Sequence, residues 1–554
     1  MDNKNLEIKQ ILSLAIENHK KNNFKLAEDL YNKILKKDSS HFESLFLLGT
    51  LYSQIKNYNK SITFLNKAIQ IQPYHANSHH NLGSALIELG EFNKAIEALQ
   101  KVIQIDPKHS DAYYNLGNAF KQLRDFKNAK KHYEKAILLQ PRNSRALNNL
   151  GNILKELGDL KNAIKTYNRA IQIQPNHARS FHNLGNVYKQ LGEFEKAKDS
   201  YRQAYKYQPS NLETLDTLCV LDEKILDINL KKKIKEIMSI KNITKKDIAY
   251  GNFLLAKYEL KQKNFEGEFE YLLKGHSNYF DFRKKAFEIG VKYWLHDLPK
   301  IEELMNYGQS NNKKNKNKFR PIFIIGVPRC GSTLIEKIIA SGAQNISIGE
   351  ETAIISMLVG QEIEKKGFFK PNIENFKKKI IECYEEKKLI KKTNNHIFTD
   401  KTLDNFFFIG LIKEIFPLAK IINCKRNSTS SIVSILKNNL GDVSWAHNLE
   451  HIFRFFDNYY EKIARFKKIF PTSIYDLNFE NFVQNPEFES KKLMKFCELP
   501  WDKKCLEFYK RKDLISSTAS NIQIRKAIYK DEAKKNVPYK EFLIAHGKKY
   551  GWFN

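Results

Sequence analysis

A leucine–glycine pair recurs at a fixed interval through the first third of the chain. Its glycines step by 34 residues, at Gly49, Gly83, Gly117, Gly151 and Gly185. Prolines keep the same step, at Pro73, Pro107, Pro141, Pro175 and Pro209. A fixed period of this length indicates repeated units of two helices, each of which buries its apolar face against the next. The glycine permits close approach of the two helices, and the proline ends the second one.

This pattern resembles tetratricopeptide repeats (TPRs), which implies an N-terminal α-solenoid of helix pairs. Five clear repeats cover 42–211. A weaker repeat at about 8–41 has Ala15 and Ser39 at the glycine and proline positions, so we expect it to cap the solenoid. The predicted first domain is therefore a solenoid of about six repeats over 1–211.

An asparagine precedes the leucine–glycine pair in four successive repeats: Asn81, Asn115, Asn149 and Asn183. Side-chain amides both donate and accept hydrogen bonds, so such a row can bind a peptide backbone without reading its sequence. The row resembles the asparagine ladder of O-linked N-acetylglucosamine transferases, which implies a peptide-binding groove for a peptide or protein partner. Two alternatives stay open: the asparagines serve only the repeats themselves, or two solenoids dock on each other as a homodimer.

The remainder of the chain changes character. Residues 212–307 keep a helical pattern with one degenerate repeat, and the polar, lysine-rich stretch 308–319 is the predicted linker. From 320 to 554, short apolar runs at 321–325, 419–424 and about 472–477 alternate with helical segments at 405–415 and 427–439. This alternation predicts an α/β domain with a parallel sheet whose ligands bind at the carboxyl ends of the strands.

The loop after the first of these runs is similar to a nucleotide-triphosphate loop. Gly326 and Gly331 have the required spacing, but Ser332 stands where that loop has lysine. Backbone N–H groups and a helix N-terminus still favour one phosphate. Without the lysine, a kinase or NTPase is disfavoured, and no metal is expected.

The stretch from Pro321 to Gly342, followed by the Glu350–Glu351 pair, resembles the sulfotransferase superfamily, whose P-loop-like α/β domain binds 3′-phosphoadenosine 5′-phosphosulfate (PAPS). The family loop P-R-S-G-T-T-L corresponds here to Pro328 followed by six residues that the resemblance assigns to the donor. These residues are Arg329, Cys330, Gly331, Ser332, Thr333 and Leu334. With repeats in front, the chain resembles bacterial repeat-containing sulfotransferases, which are related to tyrosylprotein sulfotransferases.

The resemblance implies further donor-binding residues. Arg426 and Ser434, eight residues apart after a predicted strand, match the pair that holds the 3′-phosphate. Ser520 would reach the sulfonate or its bridging oxygen, and Lys535, with Lys534 as an alternative, the phosphate. The sequence departs from its relatives at Phe479, where they have tyrosine.

The resemblance also implies catalytic roles. Glu351 matches the general base, with Glu350 as its neighbour, and Lys401 matches the lysine that stabilises the leaving group. Arg329 would neutralise the transferring sulfonate. Ala353 and Met357 stand where tyrosylprotein sulfotransferases have arginines that read acidic peptides, so a preference for acidic peptides does not follow.

Composition limits the remaining choices. The formal net charge of +31 is spread along the chain, which favours a background compositional bias over a dedicated nucleic-acid surface; anionic substrates would still be favoured. The six cysteines lie far apart, no apolar run is long enough to cross a membrane, and the start lacks the apolar core of a signal peptide. These features predict a cytoplasmic protein without nucleic-acid or membrane partners.

The sequence thus predicts a PAPS-dependent sulfotransferase that acts on a hydroxyl, with a protein or peptide tyrosine as the leading acceptor. Adenosine 3′,5′-bisphosphate would be its product. Sulfation of a glycan or small molecule, with the repeats as a docking scaffold, is one alternative. A catalytically silent adaptor is another.

Overall fold

The computed structural model describes residues 2–303, 319–342, 346–366, 369, 372–390, 397–511, 528 and 538–552. The chain forms two compact units. The first is Met1–Lys189 with Glu193–Gln208, and the second is Gln190–Gly192 with Pro209–Asn554. The predicted linker at 308–319 lies outside the described residues except for Phe319.

The first unit is a row of six helix pairs, and the predicted repeat solenoid is confirmed. Each helix B ends two residues before the position of the repeat proline, as Ile71 does before Pro73. The helices are α1 (Asp2–Lys20), α2 (Phe24–Lys37), α3 (Phe42–Gln54), α4 (Tyr58–Ile71), α5 (Ala76–Glu88), α6 (Phe92–Ile105), α7 (Ser110–Gln122), α8 (Phe126–Leu139), α9 (Ser144–Glu156), α10 (Leu160–Ile173), α11 (Ala178–Leu191) and α12 (Phe194–Tyr207).

The repeat glycine is required because the paired helix brings a large side chain against it. A Cβ at Gly151 would lie 2.5 Å from the ring of Tyr167, and Gly117 and Gly185 face tyrosines in the same way. The tyrosine is fully buried, and its hydroxyl donates to Asn152 Oδ1 at 2.6 Å. The asparagine after the leucine–glycine pair thus satisfies a buried phenol, which is a structural role.

The second unit begins with helices that share a hydrophobic core with the sheet that follows. Phe253 and Phe269 belong to the same buried cluster as Ile324 of the first strand. These helices are α13 (Leu212–Leu221), α14 (Ile228–Met238), α15 (Lys245–Lys261), α16 (Phe265–Phe282), α17 (Lys284–Lys292) and α18 (Leu298–Glu303).

The described part of the second unit contains a four-stranded sheet, and the predicted parallel α/β architecture is confirmed. The strands are β1 (Ile322–Gly326), β2 (Thr399–Asp400), β3 (Lys420–Lys425) and β4 (Ile474–Asn478), all parallel, in the order β2-β1-β3-β4. The helices around them are α19 (Ser332–Ala340), α20 (Ile354–Lys366), α21 (Ile373–Glu386), α22 (Ile409–Ile415), α23 (Ser428–Lys437), α24 (Leu449–Ile469), α25 (Phe479–Gln484), α26 (Pro486–Phe496) and α27 (Lys540–Gly547).

Strand register decides which residues reach the carboxyl edge of the sheet. Gly326 at the end of β1 is paired with Cys424, two residues before Arg426. Phe323 is paired with Asp400, so β2 ends three residues earlier on β1, and Lys401 follows it directly. Ser347 forms an isolated parallel bridge with Phe398, which directly precedes β2, so the segment around Ser347 runs alongside that strand.

Buried polar contacts fix the C-terminal end of α23 to the preceding helices. His276 Nε2 on α16 lies 2.8 Å from the Leu436 carbonyl oxygen, and its Nδ1 lies 3.0 Å from Nδ1 of His447. Burial lowers the pKa of both imidazoles below the usual value, so both rings are neutral at pH 7. The end of the helix that carries Ser434 is therefore held to α16 by a hydrogen bond from a neutral imidazole as well as by the Lys437–Glu268 ion pair.

We predict that Gly151→Ala lowers the free energy of unfolding of the repeat unit by about 1–3 kcal/mol, because the added methyl overlaps the rigid Tyr167 ring. The measurement is thermal unfolding of the full chain followed by far-ultraviolet circular dichroism. Lys161→Ala, at an exposed site on α10, is the matched control. An unchanged transition in Gly151→Ala would contradict this packing role.

Candidate functional site

The loop between β1 and α19 has a backbone that ordinary residues rarely adopt. Gly331 precedes α19 with φ of 95°, and Arg329 has φ of 70°. A Cβ at Gly331 would lie 2.3 Å from the Phe479 ring, and one at Gly326 would lie 2.8 Å from the Cys424 carbonyl oxygen. Both glycines are thus required by close approach, and positive φ costs Arg329 strain of the kind found at functional sites.

The helix start after this loop carries the predicted hydroxyl residues. Ser332 and Thr333 are both 5% exposed in the first turn of α19, Leu334 is half-buried, and Cys330 is fully buried. The hydrogen bond with Cys330, together with burial, raises the pKa of the Cys424 thiol well above its usual value. The loop thus offers the Arg329 side chain and N–H donors at a helix N-terminus, which suits an anion.

The structure brings the loop together with the predicted arginine–serine pair. Arg329 Nε donates to Ser434 Oγ at 3.0 Å, and Arg426 Nη1 donates to the Arg329 carbonyl oxygen at 2.8 Å. The Arg426 guanidinium also lies 5.0 Å from the centre of the Phe479 ring. Two guanidinium groups and one hydroxyl thus lie together beside the β1 loop, a set that can bind phosphate or sulfonate.

Glu351 and Lys401 form an ion pair on the other side of β1. Lys401 Nζ donates to Glu351 Oε1 at 2.9 Å; the lysine side chain is fully buried and that of the glutamate is 53% exposed. Burial acts to lower the pKa of Lys401, but the carboxylates Glu351 and Glu336 outweigh it, so the net pKa is raised. The ammonium group is therefore charged at neutral pH and lies beside an accessible carboxylate.

Lys401 follows a buried aspartate that fixes the end of β2. The Asp400 carboxylate accepts hydrogen bonds from the Thr352 and Tyr384 hydroxyls, each at 2.6 Å, and from the Thr402 N–H at 2.9 Å. Sequence reasoning missed this residue, although an aspartate directly before the predicted lysine was visible. The network holds Lys401 in place through its neighbours.

Two further charged residues missed by the sequence analysis lie inside α19. Glu336 is fully buried, and Lys337 is 1% exposed, with its Nζ 3.2 Å from Glu350 Oε1. A Glu–Lys pair within the otherwise apolar helix "STLIEKIIA" was the available signal, because buried charges need partners.

The surface next to Glu351 has no arginine at the two positions noted in the sequence. Ala353 and Met357 are both exposed. Burial raises the pKa of nearby Asp404 to about 7, and the carboxylates of Asp400 and Glu351 act in the same direction. The predicted base thus has both the Lys401 ammonium group and the carboxyl group of Asp404 near it.

Some predicted residues cannot be placed: Ser520, Lys534 and Lys535 lie outside the described residues. Within the described ranges, no group of three or more His, Cys, Asp or Glu side chains could hold a metal ion. None of the helices in that same part of the chain is long and apolar enough to cross a membrane.

The four ladder asparagines connect successive repeats in the first unit. Each is half-buried, and each amide nitrogen donates to a side chain one repeat earlier. The bonds run from Asn81 to Thr50 (3.0 Å), from Asn115 to Ser84 (3.0 Å), from Asn149 to Asn118 (3.1 Å) and from Asn183 to Asn148 (3.0 Å). These four bonds use the nitrogens and not the oxygens of the amides.

A cavity of about 440 Å³ in the second unit is separate from these residues. Its wall is formed by α13, α15, α16 and the end of α23 and includes apolar side chains such as Phe253 and Leu272. Lys257 pairs with Asp216 at 2.5 Å, and Lys437 with Glu268 at 3.1 Å. The charges of these wall residues are thus compensated within the protein.

We predict that Gly331→Ala lowers the free energy of unfolding of the second unit by about 1–3 kcal/mol, because it adds both backbone strain and an overlap with Phe479. Thermal unfolding of the full chain measures it. Gly360→Ala, whose Cβ would meet only the Tyr293 hydroxyl at 3.9 Å, is the matched control. Equal transitions in the two variants would show that the loop tolerates a side chain.

Comparisons with known proteins agree with the two-part architecture. Residues 321–503 match the model of the "Sulfotransferase family". Residues 142–210 and 110–143 match "Tetratricopeptide repeat" models, and 83–124 a "TPR repeat" model. A model of the "Anaphase-promoting complex, cyclosome, subunit 3" matches 20–102.

Individual relatives are more distant. An uncharacterized protein of Aquifex aeolicus (strain VF5) is 29% identical over 333 residues, which cover 56% of this chain and 42% of that protein. The chain thus spans less than half the length of this curated relative. Among solved structures, MamA is 30% identical and covers 30% of this chain and 96% of its own, with a TM-score of 0.29. YrrB, a TPR protein, is 21% identical over 34% of this chain and 96% of its own, with a TM-score of 0.30.

Residues 321–503 are thus similar to the sulfotransferase family, and tetratricopeptide repeat models match parts of the N-terminal unit.

Proposed function

We propose that the chain transfers a sulfuryl group from PAPS to an acceptor hydroxyl, with a protein or peptide tyrosine as the leading acceptor and the repeats recruiting it. This proposal rests on the arrangement of side chains at the carboxyl edge of the sheet. This edge holds the Lys401–Glu351 pair on one side of β1 and Arg329, Ser434 and Arg426 on the other. A group-transfer enzyme needs an anion site beside a base and a cation.

The residues at this edge fit a nucleotide with two separate anionic ends. Main-chain N–H groups of the Gly331 loop would hold the 5′-phosphosulfate, and Arg426 with Ser434 would hold the 3′-phosphate. The proposal assigns Arg329 to the sulfonate. Ser520 and Lys535 keep their assigned donor-binding roles as proposals.

In the reaction, the acceptor oxygen forms a bond to sulfur while the bond from sulfur to the 5′-phosphate oxygen breaks. Glu351 accepts the hydroxyl proton, and the electron pair of the broken bond stays on the phosphate, where charged Lys401 stabilises it. The products are a sulfate ester and adenosine 3′,5′-bisphosphate. A phenol suits this site because its pKa near 10 makes it easier to deprotonate than an aliphatic alcohol.

Two positions beside Glu351 do not support a preference for acidic acceptors. Exposed Ala353 and Met357 offer no cation there. The sequence around the acceptor tyrosine is therefore left open in this proposal.

In the repeat unit, the ladder supports a peptide groove. The four amide nitrogens bridge repeats, so their orientation is fixed before any peptide arrives. Asn115 Oδ1 and Asn149 Oδ1 already accept long hydrogen bonds from neighbouring asparagine amides at 3.5 and 3.4 Å. The remaining lone pairs of the ladder oxygens would accept hydrogen bonds from backbone N–H groups of the recruited segment. Preorganised groups lose little entropy on binding, which favours this use.

We predict that Glu351→Gln reduces sulfuryl transfer by about 100-fold or more, because it removes the proton acceptor. Transfer is measured with PAPS that carries labelled sulfur, offered with tyrosine peptides, glycans and small phenols. Binding of adenosine 3′,5′-bisphosphate, measured by calorimetry, should stay at the wild-type level. Glu374→Gln, at an exposed site on α21, is the matched control.

Three results would go against this function. Transfer by Glu351→Gln at the wild-type rate would contradict the role of Glu351 as the proton acceptor. Nucleotide binding without transfer to any acceptor would support an adaptor. Magnesium-dependent binding of ATP, with no affinity for adenosine 3′,5′-bisphosphate, would exclude the donor assignment.

We predict that the double variant Asn115→Ala/Asn149→Ala raises KM about tenfold for a long acceptor protein, at roughly 0.5–1.5 kcal/mol per lost hydrogen bond. The value of kcat should not change, because the repeats only recruit. KM is measured by steady-state kinetics. A short tyrosine peptide serves as the control substrate, and its KM should be the same in the wild type and the double variant. An unchanged KM for the long acceptor would contradict the proposed peptide-binding groove. Lys161→Ala controls for the effect of a surface substitution on the repeat unit.

A further inference from the structure

The buried carboxylate of Glu336 is bonded to the turn that carries Glu351. Its Oε1 accepts the Glu350 backbone N–H at 3.1 Å and the Thr399 hydroxyl at 2.8 Å. Thr399 Oγ1 in turn accepts the Gly349 N–H at 3.2 Å. One side chain of α19 thus holds two parts of the site, the turn before α20 and strand β2.

The turn needs such a hold because its backbone is strained. Glu350 and Ala353 both have φ of 52°, in the left-handed region that residues other than glycine rarely adopt. The turn also lies close against β2, since a Cβ at Gly349 would lie 2.2 Å from the Thr399 carbonyl oxygen. Strained backbone persists only where surrounding contacts fix it, and Glu336 bonds the amide of a strained residue directly.

Glu336 keeps an incomplete set of hydrogen bonds. Its Oε2 is buried and has no hydrogen-bond partner within the part of the chain that the structure describes. A buried, unpaired carboxylate oxygen lowers stability, and a neutral glutamine could accept the same two bonds through its oxygen.

The charge of Glu336 acts on Lys401. The titratable groups that surround this lysine are Glu351 and Glu350 of the turn, Glu336 of α19, and the buried thiols Cys330 and Cys424. Burial raises the pKa of Glu336 above its usual value, although the positive charges of Lys401 and Lys337 act in the opposite direction. Glu351 is half exposed and would be engaged by the acceptor, whereas Glu336 stays beside the lysine throughout.

The geometry points to Glu336 as a positioning residue that holds the Glu350–Glu351 turn against β2 and adds a carboxyl group to the surroundings of Lys401. Nothing in the resemblance assigned this residue. The inference rests on the proposed function for the role of Lys401, but the hold on the turn does not depend on it. Ser332 and Glu336 are four residues apart on α19, so they lie on one face of that helix. Ser332 belongs to the donor loop, and Glu336 is bonded to the turn that carries Glu351.

The test compares Glu336→Gln with Glu336→Ala in the full chain. Hydrogen exchange read by mass spectrometry follows the segments around Glu350 and Thr399. We expect exchange at the Glu350 amide to rise about tenfold or more in Glu336→Ala and to stay near the wild-type rate in Glu336→Gln. Glu259→Gln on α15, which removes a buried carboxylate paired with Lys231 of α14, controls for general loss of stability.

The second readout is the pH dependence of sulfuryl transfer. Because the amine must be charged, activity is present below the pKa of Lys401 and lost as pH rises through it. The wild type should keep its rate well into the alkaline range, and in Glu336→Gln the alkaline decline should begin at lower pH because one carboxyl group near Lys401 is lost. If Glu336 has a purely structural role, the alkaline decline in activity should occur at the same pH in Glu336→Gln as in the wild type.

Different results separate the two proposals. Unchanged exchange in Glu336→Ala would overturn the hold on the turn. Superimposable pH profiles for the wild type and Glu336→Gln would overturn the electrostatic role while transfer itself stands. If the wild type transfers sulfuryl to no acceptor, the proposed function and the electrostatic role of Glu336 both fail, and the exchange measurement still decides the hold on the turn.

Discussion

Parallel pairing of β2, β1 and β3 in one register is the constraint on which the site depends. It places the loop after Gly326, the lysine after Asp400 and the arginine after Lys425 at the same edge of the sheet. A shift of one residue along any strand would turn its side chains to the opposite face. Buried aliphatic residues such as Ile324 and Ile422, both fully buried, hold the register.

Around this edge, charge and strain are offset by neighbouring contacts. Lys401 is a fully buried ammonium group that is tolerated because carboxylates lie on several sides of it. Asp400 beside it is satisfied by hydroxyl and amide donors. The positive φ angles of Arg329 and Glu350 lie at the two turns that carry the proposed donor and acceptor groups. Strain is thus concentrated where the chemistry is proposed.

The repeat unit uses one residue type for two purposes. Asn118, Asn152 and Asn186 accept hydrogen bonds from buried tyrosine hydroxyls, which keeps each helix pair closed. The asparagines three positions earlier bridge successive repeats through their amide nitrogens. Asparagines before and after the leucine–glycine pair therefore both stabilise the repeats themselves, as one of the alternatives from the sequence proposed. This does not exclude a peptide on the remaining acceptor atoms.

The sequence by itself determined the repeat period, the helix pairs, the strands at 321–325, 419–424 and about 472–477, and the glycine loop. Each of these follows from local periodicity or from local glycine and proline chemistry. Only the tertiary structure revealed the two-residue strand β2, the pairing of Ser347 with Phe398, and the contact between Glu336 and Glu350. The physical reason is that parallel pairing and buried ion networks join residues far apart in the chain, and their partners are chosen by register and burial.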